Sequence, residues 1–271
     1  MRSATMHRKS TLHRLLPAAS LAGALALTAL AGCQQPKINC MSAHGDFAAV
    51  YELESGDPNS PCGQLAGDVI GMQTYAQEGG LNGTPNYNDA IVAIRPGEIG
   101  ALLSRAMNPP EAGGANLPQD QWYEINSIGG FSAGLPDDND FCMIPDFDAA
   151  EISLPLLPLV PPTEDDPNTP DDDESDPGLP EVAATTIRYA WSNAKFLVSA
   201  DAQGTQFEAD LTYTRDGCTA EYHVLGLYPA IGCESDDDCT ADDNGINPDF
   251  AVRCETNIGM CVIASAPPAY E

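Results

Sequence analysis

Positive charge is what this chain has least of. Eleven Lys and Arg residues face forty Asp and Glu over 271 residues. A surface so poor in bases cannot replace the counterions on phosphate, so no nucleic-acid partner is expected. Adhesion to anionic lipid by charge alone is excluded for the same reason. Catalytic signatures are also scarce. There is no G-x-x-x-x-G-K-[ST] phosphate loop, no H-E-x-x-H and no C-x-x-C-H. No C-x2-C pair occurs, and zinc sites need closely spaced thiolates or imidazoles. Two of the four histidines, His7 and His13, lie at the extreme N-terminus, leaving only His44 and His223 in the body of the chain. A continuous apolar run of about 20 residues, the length that spans a bilayer, is missing too.

What the N-terminus does contain is a shorter apolar run, Leu15 to Leu30, behind Arg2, Arg8, Lys9 and Arg14. A basic flank, a brief apolar stretch and small residues at its end describe a secretory signal. That end reads Leu30-Ala31-Gly32-Cys33 and resembles the lipobox of bacterial lipoproteins. The resemblance implies removal of residues 1–32, a diacylglyceryl thioether on Cys33 and acylation of the new N-terminus. Stable anchoring takes two lipid signals, which such a modification supplies. Gln34 rather than Asp follows the cysteine, and in that family this favours the outer membrane. With the signal removed, seven bases face forty acids, a net charge of −33.

Cysteine parity agrees with this reading. Nine cysteines are one too many for an exported protein unless one is diverted. Setting Cys33 aside leaves Cys40, Cys62, Cys142, Cys218, Cys233, Cys239, Cys254 and Cys261 for four disulfides. Connectivity among eight is one of about 105. Cys40 with Cys62 as a local pair, and Cys142 with Cys218 across the middle of the chain, is the arrangement expected here.

Residues 33–44 read as a tether. Phe47, Ala49, Tyr51 and Leu53 share one face of a period-two strand, and strands follow at Val69–Met72 with Tyr75 and at Asn88–Arg95. Pro96 opens a short helix whose face is Ile99, Leu102, Leu103 and Ala106, and Pro109-Pro110 ends it. Residues 111–150 are loop-rich, with Trp122, Tyr123 and Phe131 as expected buried anchors. Residues 154–181 carry eight prolines and, between Glu164 and Asp176, eight acids. Too little apolar area is available there to offset chain entropy, so disorder is expected, with a docked apolar lead-in at Leu154–Val160.

The sharpest local signal is Asp216-Gly217, a two-residue hairpin turn. With Arg215 opposite Cys218, Tyr213 faces Ala220, Leu211 faces Tyr222, Ala209 faces Val224 and Phe207 faces Gly226, all small or apolar. A turn at Gln203-Gly204 would set Ala200 against Phe207 and Phe196 against Leu211. Ile187, Tyr189 and Trp191 have the other parity, which a bulge near Ser192-Asn193 reconciles. The result is a mainly β fold: one antiparallel sheet, sandwich or barrel-like, over residues 45–231, with one short helix, stabilised by disulfides and interrupted by the acidic loop 154–181.

Residues 232–271 form a cysteine-rich appendage with spacing C-x5-C-x14-C-x6-C. Its Asp236-Asp237-Asp238-Cys239 and Gly259-Met260-Cys261 are similar to short modules of secreted proteins and lipoproteins of myxobacteria, a resemblance that carries no activity. Calcium is the candidate cofactor, with Asp236, Asp238, Asp242 and Asn244 as oxygen ligands. The EF-hand template is not met, since Thr240 and Ala251 occupy its first and last positions. For catalysis, Cys40, Ser42, His44 and Asp46 cluster in sequence, and a hydrolase is the rival to a non-enzymatic structural or binding protein of the cell envelope. A third reading, a small-molecule or lipid carrier, requires Trp122, Tyr123, Trp191, Tyr213 and Tyr222 to line an empty barrel. The membrane, reached through Cys33, is the one partner expected. The protein or small molecule met there is not readable.

Overall fold

A computed structural model describes residues 38–79, 83–118, 124–162 and 178–271. Cys33, Trp122, Tyr123 and the acidic centre of the Pro-rich loop lie outside the described residues. The strands are β1 (Gly45–Ser55), β2 (Gly67–Gly79), β3 (Thr84–Pro96), β4 (Ser127–Gly130), β5 (Phe141–Asp146), β6 (Ala150–Leu154), β7 (Thr185–Val198), β8 (Gln203–Arg215) and β9 (Cys218–Leu227). They form one antiparallel sheet in the order β4-β3-β2-β1-β9-β8-β7-β5, with β6 also paired to β7. The two β regions on either side of the acidic loop thus join through β1 and β9.

The sheet curls until its edges meet. Ser132 N–H donates to Met143 O at 2.9 Å and Asp148 N–H to Ile128 O at 2.9 Å, tying the β4 edge to the β5–β6 edge. Rings from strands well apart in the order meet inside: Tyr51 and Trp191 at 6.2 Å, Phe131 and Phe196 at 5.7 Å. Phe47, Ile70, Ile94, Trp191, Tyr189, Phe207, Tyr213 and Tyr222 are fully buried in this interior. The fold is therefore a barrel with a filled core. Helix α1 (Gly97–Ala106) lies across one end, burying Ile99, Leu103 and Ala106 as its spacing predicts. Pro96 precedes it as N-cap in an extended conformation.

The β8–β9 hairpin has the register read from its turn, from Arg215↔Cys218 to Phe207↔Gly226. Asp216 and Gly217 both take positive φ, 50° and 83°, the primed turn that matches strand twist. Gly226 is dictated by its partner: a Cβ there would lie 1.9 Å from the Phe207 ring. The β7–β8 register needs correction. Phe196 faces Phe207, not Leu211, a shift of four residues, because the chain reverses over Ser199–Ala202 before β8 begins. The bulge between Ser192 and Lys195 is present, and Asn193 takes φ 51° there. Above it Tyr189 and Trp191 regain the inward face.

Other expectations change at the chain's margins. The tether is shorter than 33–44, since Cys40, Ser42 and Ala43 are already buried. Residues 111–150, expected to be loop-rich, supply β4, β5 and the first residue of β6. The ends of the Pro-rich loop are paired, Leu157 with Val182 and Val160 with Leu179. Arg105 holds this stem by donating to Gly113 O, Pro158 O and Pro180 O.

Residues 232–271 are not a free appendage. They contain helix α2 (Asp236–Cys239) and the hairpin of β10 (Val252–Glu255) and β11 (Met260–Ile263). Ile246, Phe250, Val262 and Ile263 pack on Ala48, Val50, Leu197, Leu225 and Leu227, on the outside of the barrel. Buried Gln206 clasps the terminal backbone, donating to Ala269 O at 3.1 Å and accepting from Ala269 N–H at 2.9 Å.

Candidate functional site

The four pairs of cysteines are bonded, but not as expected. Cys40 joins Cys142 and Cys62 joins Cys218, so both body bridges cross long stretches of chain, and the module pairs Cys233 with Cys254 and Cys239 with Cys261. The β1 strand explains the difference. The segment ahead of it holds Cys40 next to the chain that leads into β5, with Cys40 N–H donating to Gly134 O at 3.0 Å, while the Asp57–Gly63 turn that follows it brings Cys62 beside the β8–β9 turn. Three of these sulfurs, Cys233, Cys239 and Cys254, lie within 4.8 Å of one another, but all three are in disulfides.

The calcium candidates are occupied locally. Asp238 Oδ2 accepts from Glu234 N–H at 2.8 Å and Ser235 N–H at 2.9 Å, which caps α2 and holds its carboxyl below the usual range. Asp236 Oδ1 accepts from Cys254 N–H at 2.7 Å. Asn244 Oδ1 accepts from Ile246 N–H, and its amide donates to Asp238 O and Cys239 O. Asp242 is exposed. Among the described residues these carboxylates do not gather within the 4.8 Å that brings the three sulfurs together.

The Cys40, Ser42, His44 and Asp46 cluster is pulled apart. Cys40 is in a disulfide, and Ser42 is buried with its Oγ 2.9 Å from Thr74 Oγ1. His44 and Asp46 are exposed on the other side of the strand. Elsewhere, Gly130-Phe131-Ser132-Ala133-Gly134 has the spelling of a nucleophile elbow. An elbow needs a strand-to-helix turn. Here Ser132 leaves β4 toward a loop, and its Oγ donates to Met143 O at 2.9 Å. His223 stands 3.7 Å from Asp210 and 3.8 Å from Glu208 on the outer face.

Trp191, Tyr213 and Tyr222, expected to line a cavity, fill the interior instead. Tyr189 packs edge-on against Tyr213 at 4.9 Å and stacks near Trp191 at 6.5 Å. Where α1 closes the barrel, a polar knot completes the core. Glu98 Oε2 accepts from Tyr189 OH at 2.9 Å and Tyr213 OH at 3.1 Å, and Oε1 from Arg215 at 3.0 Å. Burial raises both phenols far above their ordinary value, so they stay protonated and donate. Asp68 accepts from Glu98 N–H at 3.2 Å, and burial pushes its carboxyl up to about 6.

Beside Asp68, on the outside of β1, β2 and β3, lies an open groove of about 880 Å³. Its floor is glycine-rich, with Gly45, Gly67 and Gly71, and α1 contributes Gly97 and Gly100. His44, Asp46, Gln73, Tyr75 and Arg95 project into it, and the module supplies an apolar wall of Ile258 and Met260. Nothing in the sequence pattern announces this site, because its residues come from five separate segments.

A family model described as MlpA matches residues 45–229. The chain belongs to the MlpA family. The match begins with the first residue of β1 and ends just past β9, so the MlpA domain is the barrel itself. The Myxococcus xanthus protein named "Putative lipoprotein MlpA" is 28% identical over 260 residues, covering 89% of this chain and 92% of its own length. That length of similarity takes in more than the MlpA domain. The resemblance to bacterial lipoproteins of the myxobacterial kind is thereby upheld. No solved structure matches. Among the described residues of this MlpA-family member, no helix is long and apolar enough to cross a membrane.

Proposed function

We propose that this MlpA-family protein is a non-enzymatic binding component of the cell envelope. It is anchored in the outer membrane by lipid on Cys33 and engages its ligand in the groove outside β1, β2 and β3. The observation that carries the reading is where space is found. The barrel interior is filled with aromatic rings, which opposes the carrier reading, whereas the outer groove has the volume of a small-ligand site. The lipoprotein relative supports the anchor. The bonded Cys40 and exposed His44 remove the best form of the hydrolase reading.

Two measurements test it in the native organism. Cys33→Ala should abolish incorporation of a clickable palmitate analogue and shift the protein from the membrane to a soluble exported fraction; retained label defeats the anchor. A benzophenone amino acid in place of Tyr75, which is 47% exposed at the groove, should form an adduct in living cells. The same group at Glu221, exposed on β9, should not. No adduct from position 75 defeats the binding role.

A further inference from the structure

Three strands align an acid, a gap and a base across the groove floor. Asp46 on β1 pairs with Gly71 on β2, and Gly71 pairs with Arg95 on β3. Strand spacing puts the Cα atoms of Asp46 and Arg95 roughly 10 Å apart. The Asp46 carboxylate leans over the gap, with Oδ1 3.8 Å from where a Gly71 Cβ would be. Arg95 runs over Gly100, its Nε donating to Asn126 Oδ1 at 2.9 Å. Among the described residues, neither the Asp46 carboxylate nor the two Arg95 Nη atoms makes a hydrogen bond or ion pair. The two opposite charges face one groove without meeting.

Gly71 is the strand glycine of the groove floor that internal packing leaves unexplained. It sits inside β2 with a strand on each side, where glycine weakens a sheet. Gly67 and Gly97 have steric reasons, since a Cβ would come within 2.3 Å of Ala49 O and 2.5 Å of Val69 O respectively. A Cβ on Gly71 would meet only ordinary contacts, at 3.8 and 3.9 Å, and its φ is not in the left-handed region. Glycine inside a strand marks a bulge, a tight barrel bend or close approach by another molecule; the pairing is regular on both sides of Gly71, and its bare face is the floor of the groove.

We infer that the groove binds a small zwitterion with an apolar portion, a free amino acid or a short peptide with unblocked ends. Its ammonium meets Asp46, its carboxylate meets the Arg95 guanidinium in a bidentate pair, and its apolar part lies over Gly71 against Ile258 and Met260. A simple anion would be repelled by a processed chain of net charge −33, and a simple cation would leave Arg95 without a role. A zwitterion has no net charge and uses both ends. The inference rests on the binding role proposed for this groove.

The test uses the full-length protein in detergent micelles, titrated with the dipeptide Leu-Leu by calorimetry and saturation-transfer NMR. Unblocked Leu-Leu should bind with Kd near or below about 1 mM. N-acetylation or C-amidation should each weaken binding about ten-fold or more. Asp46→Asn should erase the discrimination against the acetylated peptide alone, and Arg95→Gln that against the amidated peptide alone. Both side chains are exposed, so these variants should keep the wild-type melting temperature. Gly71→Trp should fill the floor and abolish binding. Equal affinity for blocked and unblocked peptides, or no saturation by about 10 mM, overturns the ligand class. If that happens while position 75 still forms an adduct in cells, the binding role stands without this ligand; if the adduct is absent as well, both fall.

Discussion

The barrel and the C-terminal module are stabilised in opposite ways. The barrel has a continuous apolar interior of its own, from Phe47 to Tyr222. The module has a four-residue helix and a short hairpin, and its apolar side chains find cover only on the outside of the barrel. Disulfides follow the same division. The barrel's bridges link residues 102 and 156 apart, and the module's link residues 21 and 22 apart. A large core tolerates losing a crosslink, whereas a small unit without a core does not.

Removing bridges gives the largest effect and tests that contrast directly. On loop entropy, Cys62→Ala with Cys218→Ala should cost about 5 kcal/mol, and Cys239→Ala with Cys261→Ala about 3 kcal/mol. The smaller figure should have the more local consequence. Without its bridge, residues 233–261 should become protease-sensitive while amides of β7, β8 and β9 keep their protection. The barrel variant should instead lower the urea midpoint of one global transition. If the module variant shows only that same global transition, the two regions are one cooperative unit and the contrast is broken.

One buried polar side chain adds to the apolar packing that docks the module. Gln206 is fully buried and makes both of its bonds to Ala269. Gln206→Ala leaves the Ala269 N–H unsatisfied in that site, while Ala269 O keeps its bond from Ala251 N–H at 3.1 Å, a net cost of about 2 kcal/mol. Hydrogen exchange should accelerate at Ala269 and along β11, with the barrel interior unchanged. Uniform acceleration through β8 and β9 would mean that the clasp supports the barrel rather than the docking.

Strand β1 shows what was legible and what was not. Its inward set, Phe47, Ala49 and Tyr51, followed from period two. Yet the run Phe47-Ala48-Ala49-Val50-Tyr51 is apolar at every position, as is Val224 to Leu227 on β9. Continuous runs of this kind belong to strands covered on both faces. Ala48, Val50, Leu225 and Leu227 were therefore a readable sign that something packs outside, and the module is what does so. The β8–β9 register was legible because a two-residue turn and alternation constrain it together. The β7–β8 register was not, since a longer reversal fixes no count and parity alone allows steps of two. Strands β4 to β6 are only four to six residues long and interleaved with Gly, Pro and Asp, so local pattern barely distinguishes them from loop. Cysteine pairing and the groove depend on which distant strands become neighbours. Only the closed sheet decides that.

The smallest effect concerns the end of the barrel where body and groove meet. Burial raises the Asp68 carboxyl from 3.8 to about 6. A folded-state pKa above the unfolded one means that the folded protein holds the extra proton between these values. Stability should accordingly fall as pH rises from about 4 to about 6, and the penalty should then stay constant at higher pH. Its size is about 1–2 kcal/mol once partial hydration of the carboxyl is allowed for. Asp68→Asn cannot ionise, so it should flatten this part of the stability profile while raising the melting temperature modestly at pH 7. Disulfide-bridged module residues have no share in this titration, so their protection should not change across the window. If protection of β10 and β11 falls in step with that of α1, the groove couples the two regions, and module and barrel are less independent than their cores suggest.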